Sequence, residues 1–198
     1  LKMNTPEDNE FANEYCNVIM KEADKMNDLV INMLEQSMYS SGVKAPERED
    51  FSVDEYIRDF LTTIVHITEE KGITGKYDCT DAAVNGDVKQ MTRVLSNIVL
   101  NACSHVKGDM IIEITVDKGE EYTRINVFNT GSFIEEKDKE SIFTSFYRAD
   151  KAHSRKEGRF GLGLSIVKSI IDNHGCECGF QNQTDGVTFW FTVKNSER

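Results

Sequence analysis

The pattern of apolar residues changes character at Ser40-Ser41-Gly42-Val43-Lys44-Ala45-Pro46, a stretch with the composition of a turn or linker. Before it, from Pro6 to about Ser40, the residues Tyr15, Ile19, Met26, Val30, Met33 and Ser37 fall near a seven-residue repeat. Val18, Leu29 and Leu34 lie beside them. This is the narrow apolar stripe of one long helix suited to packing on partner helices. Pro6 fits a first helical turn, and Glu7 and Asp8 complement the positive end of the helix dipole. Such a helix cannot cover its own stripe. It either docks on the next domain or belongs to a helical hairpin or bundle. Beyond the break, helix and strand signals alternate, so the chain divides into a helical arm, residues 1–43, and a second unit, residues 44–198.

The second unit reads as a succession of caps and turns. Ser52, with Glu55 three residues on, predicts a capping box and a helix to about Lys71. Short strands are expected at Ile73 to Cys79 and Ala82 to Asn85. Asp87 caps a second helix through about Val106. Met110 to Val116 and Tyr122 to Asn129 alternate as a hairpin around Lys118-Gly119-Glu120. A polar stretch with a short helix follows, from Gly131 to Arg159, and then a glycine-led helix to about His174. Two last strands, near Cys176–Gln183 and Val187–Val193, meet at the hairpin turn Asp185-Gly186. The order predicts an α+β fold: a two-layer α/β sandwich in which a mixed sheet is covered by helices on one face, preceded by one long helix.

Charge narrows the partners. The chain has 34 acidic against 23 basic residues, a net charge of −11 over 198 residues. This argues against general nucleic-acid binding, which needs a basic surface to neutralise phosphates. One local basic patch remains, from Arg148 to Arg159. The five cysteines include no Cys-x-x-Cys pair, and Cys176 and Cys178 would share one face of a strand. They read as free thiols in a reducing compartment. No apolar run reaches membrane-spanning length.

Four segments carry candidate chemistry. Gly158-Arg159-Phe160-Gly161-Leu162-Gly163-Leu164-Ser165 opens an amphipathic helix. A helix N-terminus exposes unpaired N–H groups, and glycine lets an anion approach them. On the helix from Asp87, the residues Leu95, Ile98, Val99 and Ala102 form an apolar face, while Asn97, Asn101 and His105, spaced by four, share another. An amide oxygen there suits a Mg²⁺ ion that also holds phosphate oxygens. Asn129 ends a strand before Gly131, where its side chain can accept a hydrogen bond from an exocyclic amine. The aromatics of Phe143-Thr144-Ser145-Phe146-Tyr147-Arg148 are expected to be core that pins the base of the charged loop Lys151 to Arg159, which could close as a lid.

In this order and spacing the four segments resemble the catalytic domain of bacterial two-component sensor histidine kinases, within the ATPase superfamily shared with type II topoisomerases and heat-shock chaperones. Asn97…Asn101-Ala102…His105 is similar to the family's N box, and Asn129-x-Gly131 to its first glycine box. Phe143-x-x-Phe146-Tyr147-Arg148-x-Asp150 resembles the F box, which favours the histidine kinases over the other branches. Gly161-Leu162-Gly163-Leu164 resembles the second glycine box. The first helix then resembles the second helix of the dimerisation and phosphoacceptor hairpin.

The resemblance implies a protein-histidine kinase core that uses ATP and Mg²⁺. Asn101 would hold Mg²⁺, with Asn97 and His105 on the phosphate side. Asn129 would read adenine, with Gly131 permitting the approach. Gly161, Leu162 and Gly163 would line the phosphate end. Tyr147 and Arg148 at the lid base, with Arg155 and Lys156 in the lid, would complete the site. The phosphoacceptor histidine box is absent, since His66, His105, His153 and His174 stand in the wrong context; the chain would bind ATP without phosphorylating itself. Implied partners are a response regulator, whose Asp receives the phosphoryl group, and a second copy in a homodimer. Membrane attachment would come only through upstream segments, as in the cytoplasmic domain of an inner- or plasma-membrane sensor. Alternatives are a kinase-like docking module or a non-kinase ATPase of the same superfamily. The chain departs from the family pattern at Asn129, where Asp is frequent, at Ser104, where Lys is frequent, at Phe133, which replaces a glycine, and at Arg159-Phe160, which crowds the entrance. With one helix of the hairpin missing, the apolar stripe predicts self-association, measurable by sedimentation; a strictly monomeric chain with a disordered first helix is the contrary result.

Overall fold

A computed structural model describes residues 6–42, 45–148 and 160–197. A single long helix, α1 (Pro6–Ser40), precedes a sheet and three helices. Strand β1 (Glu49–Ser52) leads into α2 (Val53–Glu70), then β2 (Thr74–Cys79), β3 (Ala83–Gly86) and α3 (Val88–His105). The hairpin of β4 (Ile111–Lys118) and β5 (Tyr122–Thr130) follows, then a 3₁₀ turn at Glu136–Asp138, α4 (Gly163–Asn173), β6 (Cys178–Asn182) and β7 (Gly186–Asn195).

Local chemistry starts and stops these elements as expected. Ser52 accepts from the Glu55 N–H to cap α2, and Asp87 accepts from the Gln90 N–H to cap α3. Helix α4 ends on Gly175 at φ 66°, with the Gly175 N–H donating to Asp172 O and the Cys176 N–H to Ile171 O. That pair of bonds is a Schellman motif. The sheet runs β1-β3-β7-β5-β4-β2, with β6 also on β7. β7 is the spine: β5 lines one edge from Tyr122↔Lys194 to Thr130↔Gly186, while β6 and then β3 share the other. Only β2 and β4 pair parallel, which makes the sheet mixed. Strand β1 carries no readable signal, since two of its four residues are acidic and its exposure does not alternate.

The core is one layer between sheet and helices. Val94, Leu95, Ile98 and Val99 of α3 and Ile166, Val167, Ile170 and Ile171 of α4 are almost wholly buried against Ile114, Ile125, Val127 and Phe191 of the sheet. The opposite face of the sheet is polar. There Trp190 lies beneath the Arg124 guanidinium, 4.1 Å from ring centre to Cζ, and against Gly179, where a Cβ would fall 2.7 Å from the indole. No disulfide joins the five described cysteines, of which Cys103 and Cys176 are buried.

Of the two fates open to α1, the structure shows partial docking. Its last turns lie on α4: Tyr39 is buried, its carbonyl accepts from Asn173 Nδ2 at 2.8 Å, and Gln36 Nε2 donates to Ser169 Oγ. Arg93 of α3 pairs with Glu35 at 2.8 Å. Nearer the N-terminus, Phe11, Tyr15, Ile19, Met26 and Val30 stand more than half exposed. No described helix is long and apolar enough to cross a membrane.

The segment after α1 is tied down by a buried hub. Arg48 Nη2 donates to His174 O at 2.9 Å, and the Glu47 N–H to Asp87 Oδ2 at 3.1 Å. The His174 ring closes the hub: Nε2 accepts from the Asp87 N–H at 3.2 Å, and Nδ1 lies 2.8 Å from Ile170 O. Nε2 is therefore the unprotonated nitrogen and Nδ1–H the donor. Burial, aided by the Arg48 charge, holds the imidazole below its ordinary 6.5. The Asp87 carboxyl is pushed up by burial, but its bonds from Gln90 and Glu47 outweigh this and leave it below 3.8. In the unfolded chain His174 takes up a proton below pH 6.5 while the folded form stays neutral. Stability is therefore expected to fall as pH drops below that value, with a slope of up to about 1.4 kcal/mol per pH unit from this one group. Asp87 acts only in a lower window, as pH falls below 3.8. Urea unfolding of the wild type and His174→Gln at pH 7.5, 6.5 and 5.5 (about one unit either side) checks this: the variant should lose the extra acid sensitivity.

Candidate functional site

Helix α3 presents two unlike faces. Its apolar side is sealed onto the sheet, which leaves Asn97 and Asn101 half-buried along the side toward α4 and His105 exposed at the end. Asn97 faces the first turn of α4. A Cβ at Gly163 would lie 3.3 Å from Asn97 Oδ1, while Asn97 Nδ2 is buried without a hydrogen-bond partner. A buried N–H donor left unmet is costly unless a ligand answers it. The start of α4 is likewise open: Leu162 precedes it with no side-chain cap, so its first backbone N–H groups are unclaimed by side chains. Leu162 stands at this end as expected, through its backbone. Its side chain is 2% exposed and belongs to the hydrophobic core, leaving only its backbone at the site.

The next wall comes from the end of β5. Asn129 is 1% exposed and points to the helix side of the sheet, like Ile125 and Val127. Its Nδ2 donates to Ser132 Oγ at 2.7 Å and to Thr130 O at 3.3 Å, and Ser132 Oγ donates to His105 O at 2.8 Å. Gly131 turns the chain at φ 75°, with Lys107 so close that a Cβ would fall 2.5 Å from the lysine Cβ. Only glycine fits such a turn. Phe133 is 70% exposed.

The base of the expected lid is held by three contacts. The Phe146 N–H donates to Gly161 O at 2.9 Å, which brings both ends of residues 147–160 together. Tyr147 Oη donates to Asp138 Oδ1 at 2.6 Å. This bond, with burial behind it, raises the tyrosine above its ordinary 10 and keeps it a donor. At Gly161, φ is 72° and a Cβ would fall 2.6 Å from Tyr147 O. Phe146 corrects one expectation: at φ 65° its ring is 56% exposed rather than core, whereas Phe143 and Phe160 pack against the core. Arg148 packs over the Gly161 turn, and its Nε and Nη2 are buried without partners. Arg155 and Lys156 lie outside the described residues.

Together these residues form a site with a cation and an amide donor at one end and an amide-bearing strand end at the other. The donors suit a phosphate chain at the α4 N-terminus. No group of three His, Cys, Asp or Glu that could hold a metal occurs among the described residues. A metal here would rest on the Asn101 amide oxygen, phosphate oxygens and water, a donor set that fits Mg²⁺. A separate shallow concavity of about 520 Å³ lies on the open sheet face, lined by Glu113, Asp117 and Asp185 around Arg124; its acidic lining does not suit an anion. Sequence reading missed Ser132, Asp138 and Lys107, which carry no motif and act only through contacts made by the fold.

Residues 86–197 match the model of the histidine kinase-, DNA gyrase B- and HSP90-like ATPase family. The sensor protein VanSB of Enterococcus faecalis is 29% identical over 181 residues, covering 91% of this chain and 40% of that protein. The sensor histidine kinase WalK of Bacillus subtilis is 30% identical over 199 residues, 96% of this chain and 32% of that protein. The chain thus spans two fifths or less of these relatives. Among solved structures, the catalytic domain of histidine kinase ThkA superposes with a TM-score of 0.67 at 30% identity, over 75% of this chain and 96% of that one. ThkA in complex with the response regulator protein TrrA gives 0.77 at 28% identity, over 98% and 53%. With its two-layer fold and the match over residues 86–197, the chain belongs to the histidine kinase-, DNA gyrase B- and HSP90-like ATPase family.

Proposed function

We propose that this chain is the ATP-binding kinase core of a two-component sensor histidine kinase, phosphorylating a histidine on a helix that pairs with α1. The observation that carries the reading is the buried, unpartnered Asn97 Nδ2 beneath the uncapped start of α4, with the unpartnered Nε and Nη2 of Arg148 over the same turn. These groups meet a triphosphate; Asn129 meets adenine. Backbone N–H groups at Gly161, Leu162 and Gly163 donate to the phosphate oxygens, and Gly131 leaves room for the base. Asn101 holds Mg²⁺, which screens phosphate charge when bound. Arg148, with Arg155 and Lys156, neutralises the charge that builds on the transferring phosphoryl group. Tyr147 is the anchor for that arginine rather than a phosphate ligand, since its hydroxyl is committed to Asp138. His105 lines the outer end, and its carbonyl steadies Ser132.

The acceptor imidazole is not His174, which is buried in the hub behind the domain. It comes from the hairpin partner of α1, whose exposed apolar residues form the surface for that helix and for a second copy of the protein. The phosphohistidine then passes its phosphoryl group to a response-regulator aspartate, a partnership supported by the ThkA–TrrA complex. The sequence match to sensor proteins supports a place in a sensor; any membrane attachment would come through segments outside this chain.

Asn101→Ala is expected to weaken Mg²⁺-dependent binding of a non-hydrolysable ATP analogue by about tenfold or more, as loss of a hydrogen-bonding or ligand group to a charged partner does. Titration calorimetry with and without Mg²⁺ checks it, with the urea midpoint unchanged because Asn101 contributes nothing to the core. Undiminished Mg²⁺-dependent affinity sinks the metal assignment.

A further inference from the structure

We infer that Ser132 sets the nucleobase selectivity of the site, by fixing which end of the Asn129 carboxamide faces the base. The inference rests on the ATP-site reading above. A carboxamide offers an acceptor at Oδ1 and donors at Nδ2, and a half-turn about its last torsion exchanges them. An asparagine at this position therefore reads either an amino group or a carbonyl, depending on its neighbours. An aspartate, with two acceptor oxygens, has no such choice.

The neighbours decide it here. One side of the Asn129 amide faces Thr130 O at 3.3 Å and Ser132 Oγ at 2.7 Å. Thr130 O is a carbonyl, only ever an acceptor, and already receives the Lys107 N–H at 3.0 Å. Ser132 has one hydroxyl proton, and it is spent on His105 O at 2.8 Å. Both positions thus demand a donor, and Nδ2 supplies it. A flipped amide would set Oδ1 against two acceptors in a residue that is 1% exposed, where such a clash goes unscreened. Oδ1 is left as the outward-facing group, with no hydrogen-bond partner among the described residues.

The proton on Ser132 is committed because His105 is the last residue of α3. Carbonyls of a last helical turn lack partners within the helix, so they draw a donor from outside. The order of bonds runs from the helix end to the base: His105 O takes the Ser132 proton, the Ser132 lone pair takes Nδ2–H, and Oδ1 faces the 6-position of a purine. A 6-amino group, as in adenine, donates to Oδ1. A 6-oxo group, as in hypoxanthine, meets it oxygen to oxygen. Ser132 acts through Asn129 and is a positioning residue.

The test compares ATP with inosine triphosphate, which replaces the 6-amino group by an oxygen. Each displaces a fluorescent trinitrophenyl-ATP from the Mg²⁺-loaded chain, and the readout is the ratio of the two dissociation constants. The wild type should prefer ATP. Ser132→Ala removes the shorter of the two bonds that hold Nδ2, leaving only Thr130 O at 3.3 Å, and should cut that preference by about three- to tenfold, the worth of one hydrogen bond. Ser132→Thr keeps the hydroxyl and should restore it. In an Asn129→Asp background, Ser132→Ala should leave the ratio unchanged, because a carboxylate cannot exchange an acceptor for a donor. A role confined to stability would alter total binding but not this ratio. The inference is overturned if Ser132→Ala keeps the wild-type ratio, if the serine matters equally in the Asn129→Asp and wild-type backgrounds, or if the wild type binds both nucleotides equally. A wild type that binds neither overturns the ATP reading, and the inference falls with it.

Discussion

The rotation of α3 about its own axis fixes the site. A helix advances 100° per residue, so once Val94, Leu95, Ile98 and Val99 are sealed against the sheet, the direction of every other side chain on it is set. Asn97 then faces Gly163 at the start of α4, and Asn101, one turn on, shares its side of the helix. Rotation by one residue would bury an amide in the apolar layer, at a cost of several kcal/mol by the usual desolvation scale of about 2–7 kcal/mol. α4 is fixed by the same layer through Ile166, Val167, Ile170 and Ile171, which places its open end beside Asn97. The polar site is thus positioned by apolar packing on the far sides of the helices that build it.

That dependence explains what could be read from the chain and what could not. Ser52 and Asp87 act within three residues of themselves, so their caps follow from sequence alone, whereas the turn expected at Asp185-Gly186 lies at residues 183–185 and Gly186 already pairs with Thr130 as the first residue of β7. The facing of Asn97 and Asn101 follows from helical spacing. Leu162 sits inside a phosphate-type motif, but its side chain is claimed by the core, a decision made by α4 docking rather than by neighbours in sequence. Phe146 reads as core by residue type, yet its left-handed backbone turns the ring outward. Ser132 reaches His105 across 27 positions, and Tyr147 finds Asp138 in a polar run with no pattern to mark it. Strand β1 is acidic at its start and exists through its pairing with β3.

The long helix and the segment after it are both tied to α3 and α4 through partly buried contacts. The last turns of the helix use side-chain hydrogen bonds and one ion pair to α3 and α4, groups that water can replace. The following segment is held by part-buried bonds from the exposed Glu47 and Arg48 to the buried Asp87 and His174.

The single tryptophan of the chain, Trp190, lies on the open face of the sheet, under Arg124 and against Gly179, with the whole core layer between it and the α3–α4 side. Its indole is thus an internal optical gauge of the sheet that is deaf to whatever occupies the site. Emission from it reports unfolding of β5, β6 and β7 together, since its contacts come from all three. A signal for nucleotide must be built in on the other side of the sheet, where the protein has no indole of its own.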